Sequence, residues 1–357
     1  MAGEKVSIDM KSVIKGMALL LSVAAPATVW AAQGPAQAPV CVAAHRVQDR
    51  PIVPAGIDQP AGDNVQGPSL IKVPDWVKGK LGNYYLYFAA HKGESIRLAY
   101  ADKLEGPWKI HAGGTLQLGE SLFPTALPDI TDQDNKGDDN LKAHIASPDV
   151  HVDHANKRII LYYHGILSKN NQQTRVATSS DGIHFEPRAP LLGPSYFRVI
   201  QHEGYRYALG MPGIFFRSKD GFTDFERGPT LFGTDQRHTA LLKRGNELFV
   251  FWTRVGDVPE RIYLSRIDMR GDWSQWKAGE AVEILRPTRP WEGADAPLEP
   301  SVRGTAFGHL NQLRDPAIYE ENGRTYLLYA VGGESGIALA ELHFNDAACA
   351  AGKRQVR

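Results

Sequence analysis

Cysteine is scarce in this 357-residue chain: there are two, Cys41 and Cys349. That excludes a disulfide-dense scaffold and leaves at most one bond, which would tie the two ends of the fold together in an oxidising compartment. Net charge is also lacking, because 40 Lys and Arg balance 40 Asp and Glu. Nothing global therefore points to nucleic acid or to a membrane surface, and any function that uses charge must concentrate it locally. Beyond the N-terminus no apolar run is long enough to span a bilayer, and no long amphipathic helix can be read. What is present is a 43% hydrophobic content, ample for a core.

The N-terminus reads as an export signal: Lys11 and Lys15 precede the apolar run from Met17 to Ala25, and small residues follow. Ala36-Gln37-Ala38 fits a cleavage site, with Val29-Trp30-Ala31 as a competitor. The expected layout is a signal peptide over 1–38, an N-terminal extension over 39–63, the fold proper over 64–344 and a tail over 345–357. The mature protein is then periplasmic or secreted, free of the membrane and monomeric.

The stretch from His144 to His164 sets the plan of the rest. A strand opens on Ser147-Pro148-Asp149, turns through Asp153 to Lys157 and returns as Arg158-Ile-Ile-Leu-Tyr-Tyr-His164. The same plan recurs at Arg314-Asp315-Pro316, returning through Arg324 to Ala330. Related units start near Gly67, Tyr196 and His238, their third strands followed by Asp-Gly or Gly turns with an aromatic at a similar place. Five self-similar four-strand units of about forty residues or more predict an all-β, five-bladed β-propeller with four antiparallel strands per blade. A two-sheet sandwich, the structural rival, has no reason to repeat that register.

The strand starts Arg314-Asp315-Pro316 and Ser147-Pro148-Asp149, the Tyr-Tyr-Leu-Tyr second strand and the Ser-x-Asp-Gly-x-x-Phe turns resemble the five-bladed propeller glycosidases of the arabinanase, xylosidase and invertase type. The resemblance covers 64–344. It implies hydrolysis of O-glycosyl bonds in an oligo- or polysaccharide by carboxylates placed at inner-strand starts, since that chemistry needs two carboxylates flanking the bond. Asp149 and Asp315 stand at such starts. The first blade instead offers Asn64 and Ser69, and the third offers Tyr196 and Arg198 where the acid should be.

Basic and imidazole groups gather at the strand ends that a propeller brings to one face. His91, His164 and Arg254 end second strands, and Arg97 and Arg175 start third strands. Arg198, Arg237, His238 and Arg314 start inner strands, with His151 nearby. Such a set predicts an anionic ligand such as a uronic acid or a sulfated sugar; the structural alternative is that several of these arginines pair with Asp149, Asp257, Glu260 and Asp315. His91 and His164 join Asp149 and Asp315 as catalytic candidates. Glu299, in the charged loop from Pro290 to Gln312, is the preferred source of a missing acid, ahead of Glu292 and Asp295. Asp132, Asp134 and Asp138 around Gly137 resemble a calcium loop, but lysine stands at the fifth position and Ala143 where a bidentate glutamate belongs. The insert therefore reads as a solvated acidic loop, with structural calcium as the alternative and no certain cofactor. Two further function classes stand beside hydrolysis: a lyase breaking a uronide by β-elimination with His, Tyr and Arg, and a non-catalytic glycan-binding propeller.

Overall fold

Runs such as Tyr84–Ala89 and Glu247–Arg254 combine aromatic and β-branched residues, which pack well on a pleated surface and favour strands. Short turns between them return the chain on itself. A computed structural model describes residues 40–57, 64–91, 93–127 and 142–344. The signal segment, the calcium-like insert, Cys349 and the tail lie outside the described residues.

The strands form five antiparallel sheets arranged as a five-bladed β-propeller, as the sequence repeats predict. The inner strands are Gln66–Lys72, Ile145–Asp153, Arg198–His202, Gln236–Arg244 and Arg314–Glu321. They line a central channel, the last packing back against the first to close the ring. The apolar core lies between neighbouring blades, for example where Tyr87, Leu98 and Ile145 meet Leu161 and Phe185.

The repeated turn motif has a structural job. Ser179 Oγ accepts from Gly182 N, and Asp181 Oδ1 accepts from Ile183 N and His184 N, which ties the turn into one shape. Gly182 sits at φ +78, where a side chain would be strained. Its carbonyl then accepts a 2.7 Å hydrogen bond from the buried Tyr87 hydroxyl of the preceding blade. Tyr162 reaches Gly221 of the third blade in the same way at 2.9 Å.

The fifth blade corrects one boundary. Residues 39–63 read as an extension outside the fold, yet Val42–Arg46 pairs antiparallel with Gly336–Phe344 and completes that blade. A three-strand blade exposes an edge, and a strand from the other end of the chain covers it. Arg46 locks it by a bidentate pair with buried Glu292, both contacts 2.7 Å. Tyr329 Oη and the backbone of Thr288 and Arg289 donate to the same carboxylate.

One irregularity positions the site. Four inner strands carry a bulge near their start, between Gln66 and Ser69, Ala146 and Asp149, Arg237 and Thr239, and Arg314 and Ala317. A bulge inserts a residue and re-aims its side chain. The left-handed residues there are Gly67, Ser147, His238 and Asp315, and Tyr196 takes the same conformation just before the third inner strand. Each blade thus presents one such residue at the same end of the channel.

Candidate catalytic pocket

The bulged end of the channel holds a cavity of about 310 Å³. Inner-strand starts contribute Gln66, Ser147, Tyr196, Arg237 and His238 to its wall. Turns after second strands contribute His91, Asn170 and Met211; His164 comes from within the second strand Arg158–Ser168 and Gln172 from the start of the third strand Asn171–Ser179, with His144 and Arg303 completing the chemically distinctive part. No carboxylate is among the described lining residues.

The carboxylates stand one layer behind. Asp315 is fully buried and accepts a 2.8 Å hydrogen bond from Tyr196 Oη. Its Oδ1 also lies 3.5 Å from His238 Nε2, and its Oδ2 has no hydrogen-bond partner. Glu334, equally buried, takes a 2.6 Å bond from Asn64 Nδ2 and a 3.0 Å ion pair from Arg314. Its Oε2 meets His91 Nδ1 at 2.7 Å. Asp315 therefore reaches the pocket through Tyr196, with His238 farther off at 3.5 Å, and Glu334 reaches it through His91.

Their environments push them apart. Burial raises Asp315 to about 6, and the nearby Glu334 charge adds to the rise against Tyr196, Arg237 and His91. Burial works the same way on Glu334, yet His91, Arg314 and Asn64 outweigh it and hold that group down, at about 2. Two neighbouring acids with opposed shifts are the usual mark of an acid and base assignment. Burial keeps the imidazoles of His164 and His238 far below their ordinary range and His144 near 4. All three are neutral at pH 7, while burial raises Tyr196 well above the usual phenol value.

Of the residues singled out in the sequence, His91, His164, Tyr196, Arg237 and His238 line this pocket, and Asp315 and Arg314 lie directly behind it. Asp149 does not join them. It faces the cavity at the opposite end, where its Oδ2 meets His151 Nε2 at 2.7 Å and accepts from Val199 N at 2.8 Å. Bulge register explains the separation: the residue equivalent to Asp315 is Ser147, two positions earlier.

The arginines divide into roles other than a shared ligand face. Arg198 lies under the Tyr196 ring, 4.2 Å from its centroid, and donates to the carbonyls of Ser147, Pro148 and Thr239. Arg97 covers Phe88 and donates to Asn64 O, Arg175 covers Phe123 and donates to Ala189 O, and Arg254 sits 3.3 Å from Asp235 between Trp252 and Tyr263. Arg237 and Arg314 are buried beside Glu260, at 3.6 and 3.2 Å, in ion pairs without aligned hydrogen bonds to it. Glu299 is exposed in its loop, Asp295 pairs with His309 at 2.6 Å, and Glu292 is taken by Arg46.

Sequence reasoning missed Glu334, His144 and Arg303, whereas Glu260 is the arginine partner that the structural alternative named. Glu334 and Glu260 sit in the segments between second and third strands, beyond the strand ends that a propeller gathers on one face. The signal available was Gly332-Gly333-Glu334, an acid in a glycine turn directly after a buried strand. Among the described residues, no group of three or more His, Cys, Asp or Glu stands close enough to hold a metal ion.

No family model matches the chain. It is 38% identical over 305 residues to the uncharacterized protein R118 of Acanthamoeba polyphaga mimivirus, a match covering 78% of this chain and 83% of that protein. Among solved structures it is similar to an exo-β-1,3-galactanase from Phanerochaete chrysosporium bound to β-1,3-galactotriose, with TM-score 0.54, 11% identity and 85% of this chain covered. The chain spans 66% of that galactanase's length. It is also similar to a GH43 β-xylosidase/α-arabinofuranosidase from a compost metagenome in complex with xylotriose, with TM-score 0.51 and 14% identity over 84% of this chain and 94% of that one. A GH43_1 enzyme from Xanthomonas citri gives TM-score 0.51 at 12% identity, covering 82% of this chain and 90% of that one. At such identities the shared property is the five-bladed fold.

Proposed function

This chain belongs to the family of the mimiviral protein R118, and from its fold and pocket we propose that it is an exported carbohydrate-active enzyme that cleaves glycosidic bonds in a glycan carrying anionic, uronic acid sugars. The observation that carries the reading is the pair of opposed proton arms. On one side Glu334, ionised and held by Arg314 and Asn64, orients His91 at the pocket wall as a base. On the other, Asp315 is raised to about 6 and hydrogen-bonded to Tyr196, a route for returning a proton to the leaving oxygen. The galactanase and xylosidase with the same fold bind their oligosaccharides as the structures describe, which supports a sugar ligand here. Lys11, Lys15 and the apolar run after them support export.

A second reading is favoured by a specific feature. Hydrolysis by two carboxylates requires them to flank the bond, whereas here His, Tyr and Arg face the pocket and the carboxylates stand behind. The same arms perform β-elimination if His91 removes the proton beside a uronate carboxylate and Tyr196 protonates the departing oxygen.

A panel of neutral and uronic acid oligosaccharides incubated with the mature protein decides between them. New reducing ends without ultraviolet absorbance mark hydrolysis, and reducing ends with the absorbance of an unsaturated sugar mark elimination. Binding without either product would end the enzymatic reading and leave a glycan-binding propeller.

A further inference from the structure

Arg237 and Arg314 carry charge at the base of the pocket, but their donors are committed. Arg314 gives Nε to Gln312 Oε1 and its NH1 to Glu334 and Gly304 O, with NH2 placed 3.4 Å from Val302 O. Arg237 gives NH1 to Val302 O at 2.8 Å and NH2 to Gly304 O at 3.2 Å. Both guanidinium groups thus grip the same two carbonyls, those of the residues on either side of Arg303.

Two rigid, planar donors on carbonyls one residue apart fix the backbone of the residue between them. That residue lines the pocket with an exposed side chain. Its guanidinium donates 2.7 Å to Thr234 O and approaches Met211 Sδ at 3.4 Å, both neutral acceptors. Among the described residues no carboxylate pairs with it, and none lines the pocket. Arg303 is therefore a cation held over the cavity with no carboxylate beside it, whereas Arg237 and Arg314 are neutralised by Glu260 and Glu334.

We infer that Arg303 is the specificity-determining anchor for the ligand's carboxylate, held in place by the Arg237 and Arg314 pedestal. This rests on the anionic-sugar reading above and assigns the charge recognition to one residue. A guanidinium fork reads a carboxylate bidentately, and the weak sulfur contact is easily exchanged for it.

The test compares the parent, Arg303→Ala and Arg303→Lys in calorimetric titrations with oligosaccharides of galacturonate, glucuronate and mannuronate, each beside its carboxyl-reduced neutral counterpart. The parent should prefer an acidic member. Arg303→Ala should weaken that binding about 10- to 100-fold and leave the neutral counterpart unchanged, with Arg303→Lys intermediate. A parent that binds acidic and neutral forms alike overturns the anionic-sugar reading itself. A parent that prefers the acid while Arg303→Ala binds it unchanged, or loses both ligands equally, overturns only the assignment to Arg303. The side chain is exposed, so an unaltered thermal midpoint in both variants is expected and checks that folding is intact.

Discussion

At the bulged end of the channel, Tyr196 and His238 at inner-strand starts surround the smaller cavity together with His91 and Arg303 from connecting segments, with two buried acids behind them. At the other end the same strands, a few residues further on, surround about 440 Å³. There Asp149, His151, Lys243 and Glu320 alternate with Val150, Leu242 and Ile318. The second arrangement is what a regular ladder produces, since successive side chains point to opposite faces. The first departs from it, because bulges in four blades re-aim one residue each, Tyr196 does so just before the third inner strand, and turns deliver Glu334 and Glu260. Polar side chains alone do not distinguish the ends. Burial, unpartnered acceptors and opposed acid shifts occur at the bulged end.

The largest effect that would test this contrast is on activity. His91→Ala should lower kcat by about 10²- to 10⁴-fold, the usual share of a positioned acid or base, while Arg314 and Asn64 still hold Glu334. A variant keeping more than a tenth of parental activity removes His91 from the chemistry.

Tyr196→Phe should follow, with an activity loss of about 10²-fold and a diagnostic change in the pH profile. The Tyr196 hydrogen bond lowers Asp315, so its removal should move the associated limb to higher pH. A loss of activity with the limb unmoved would reduce Tyr196 to packing.

Stability against pH should separate the two buried acids. Asp315 rises from an ordinary 3.8 to about 6 on folding, so its contribution is present below the lower value and lost as pH climbs through the upper one. Relative to parent, Asp315→Asn should therefore gain thermal midpoint between pH 4 and pH 7. Glu334 falls from 4.5 to about 2, so its contribution is present above the ordinary value and lost as pH drops toward 2. Relative to parent, Glu334→Gln should lose least in acid. Parallel curves for the two variants would contradict the opposed shifts.

The smallest activity effect is expected at the far end. Asp149→Asn should keep kcat within a few-fold of parent and cost about 1–3 kcal/mol of stability, through the His151 pair and the Val199 N–H bond. A drop in activity comparable to that of His91→Ala would show that the two ends act together.

Hydrophobic period, turn chemistry and repetition were local, and they sufficed for the fold: five units, their inner strands and the Asp-Gly turns are all legible in the residues. The closing strand Val42–Arg46 was not, because its partner Gly336–Phe344 lies at the other end of the chain and pairing across that separation leaves no local mark. The site was half legible. Histidine and tyrosine at strand ends were found, since a propeller gathers those ends on one face. Asp149 was set level with Asp315 as a carboxylate at an inner-strand start, although Pro148 and Pro316 both follow the bulged residue and so match Ser147 to Asp315. A bulge shifts the face of every later residue by one, and only the paired strand shows where it falls. The arginines were found as charges, but whether a guanidinium meets solvent or a buried carbonyl depends on what packs over it. Tertiary structure alone put Glu260 and Glu334 beside Arg237 and Arg314 and left Arg303 facing the cavity.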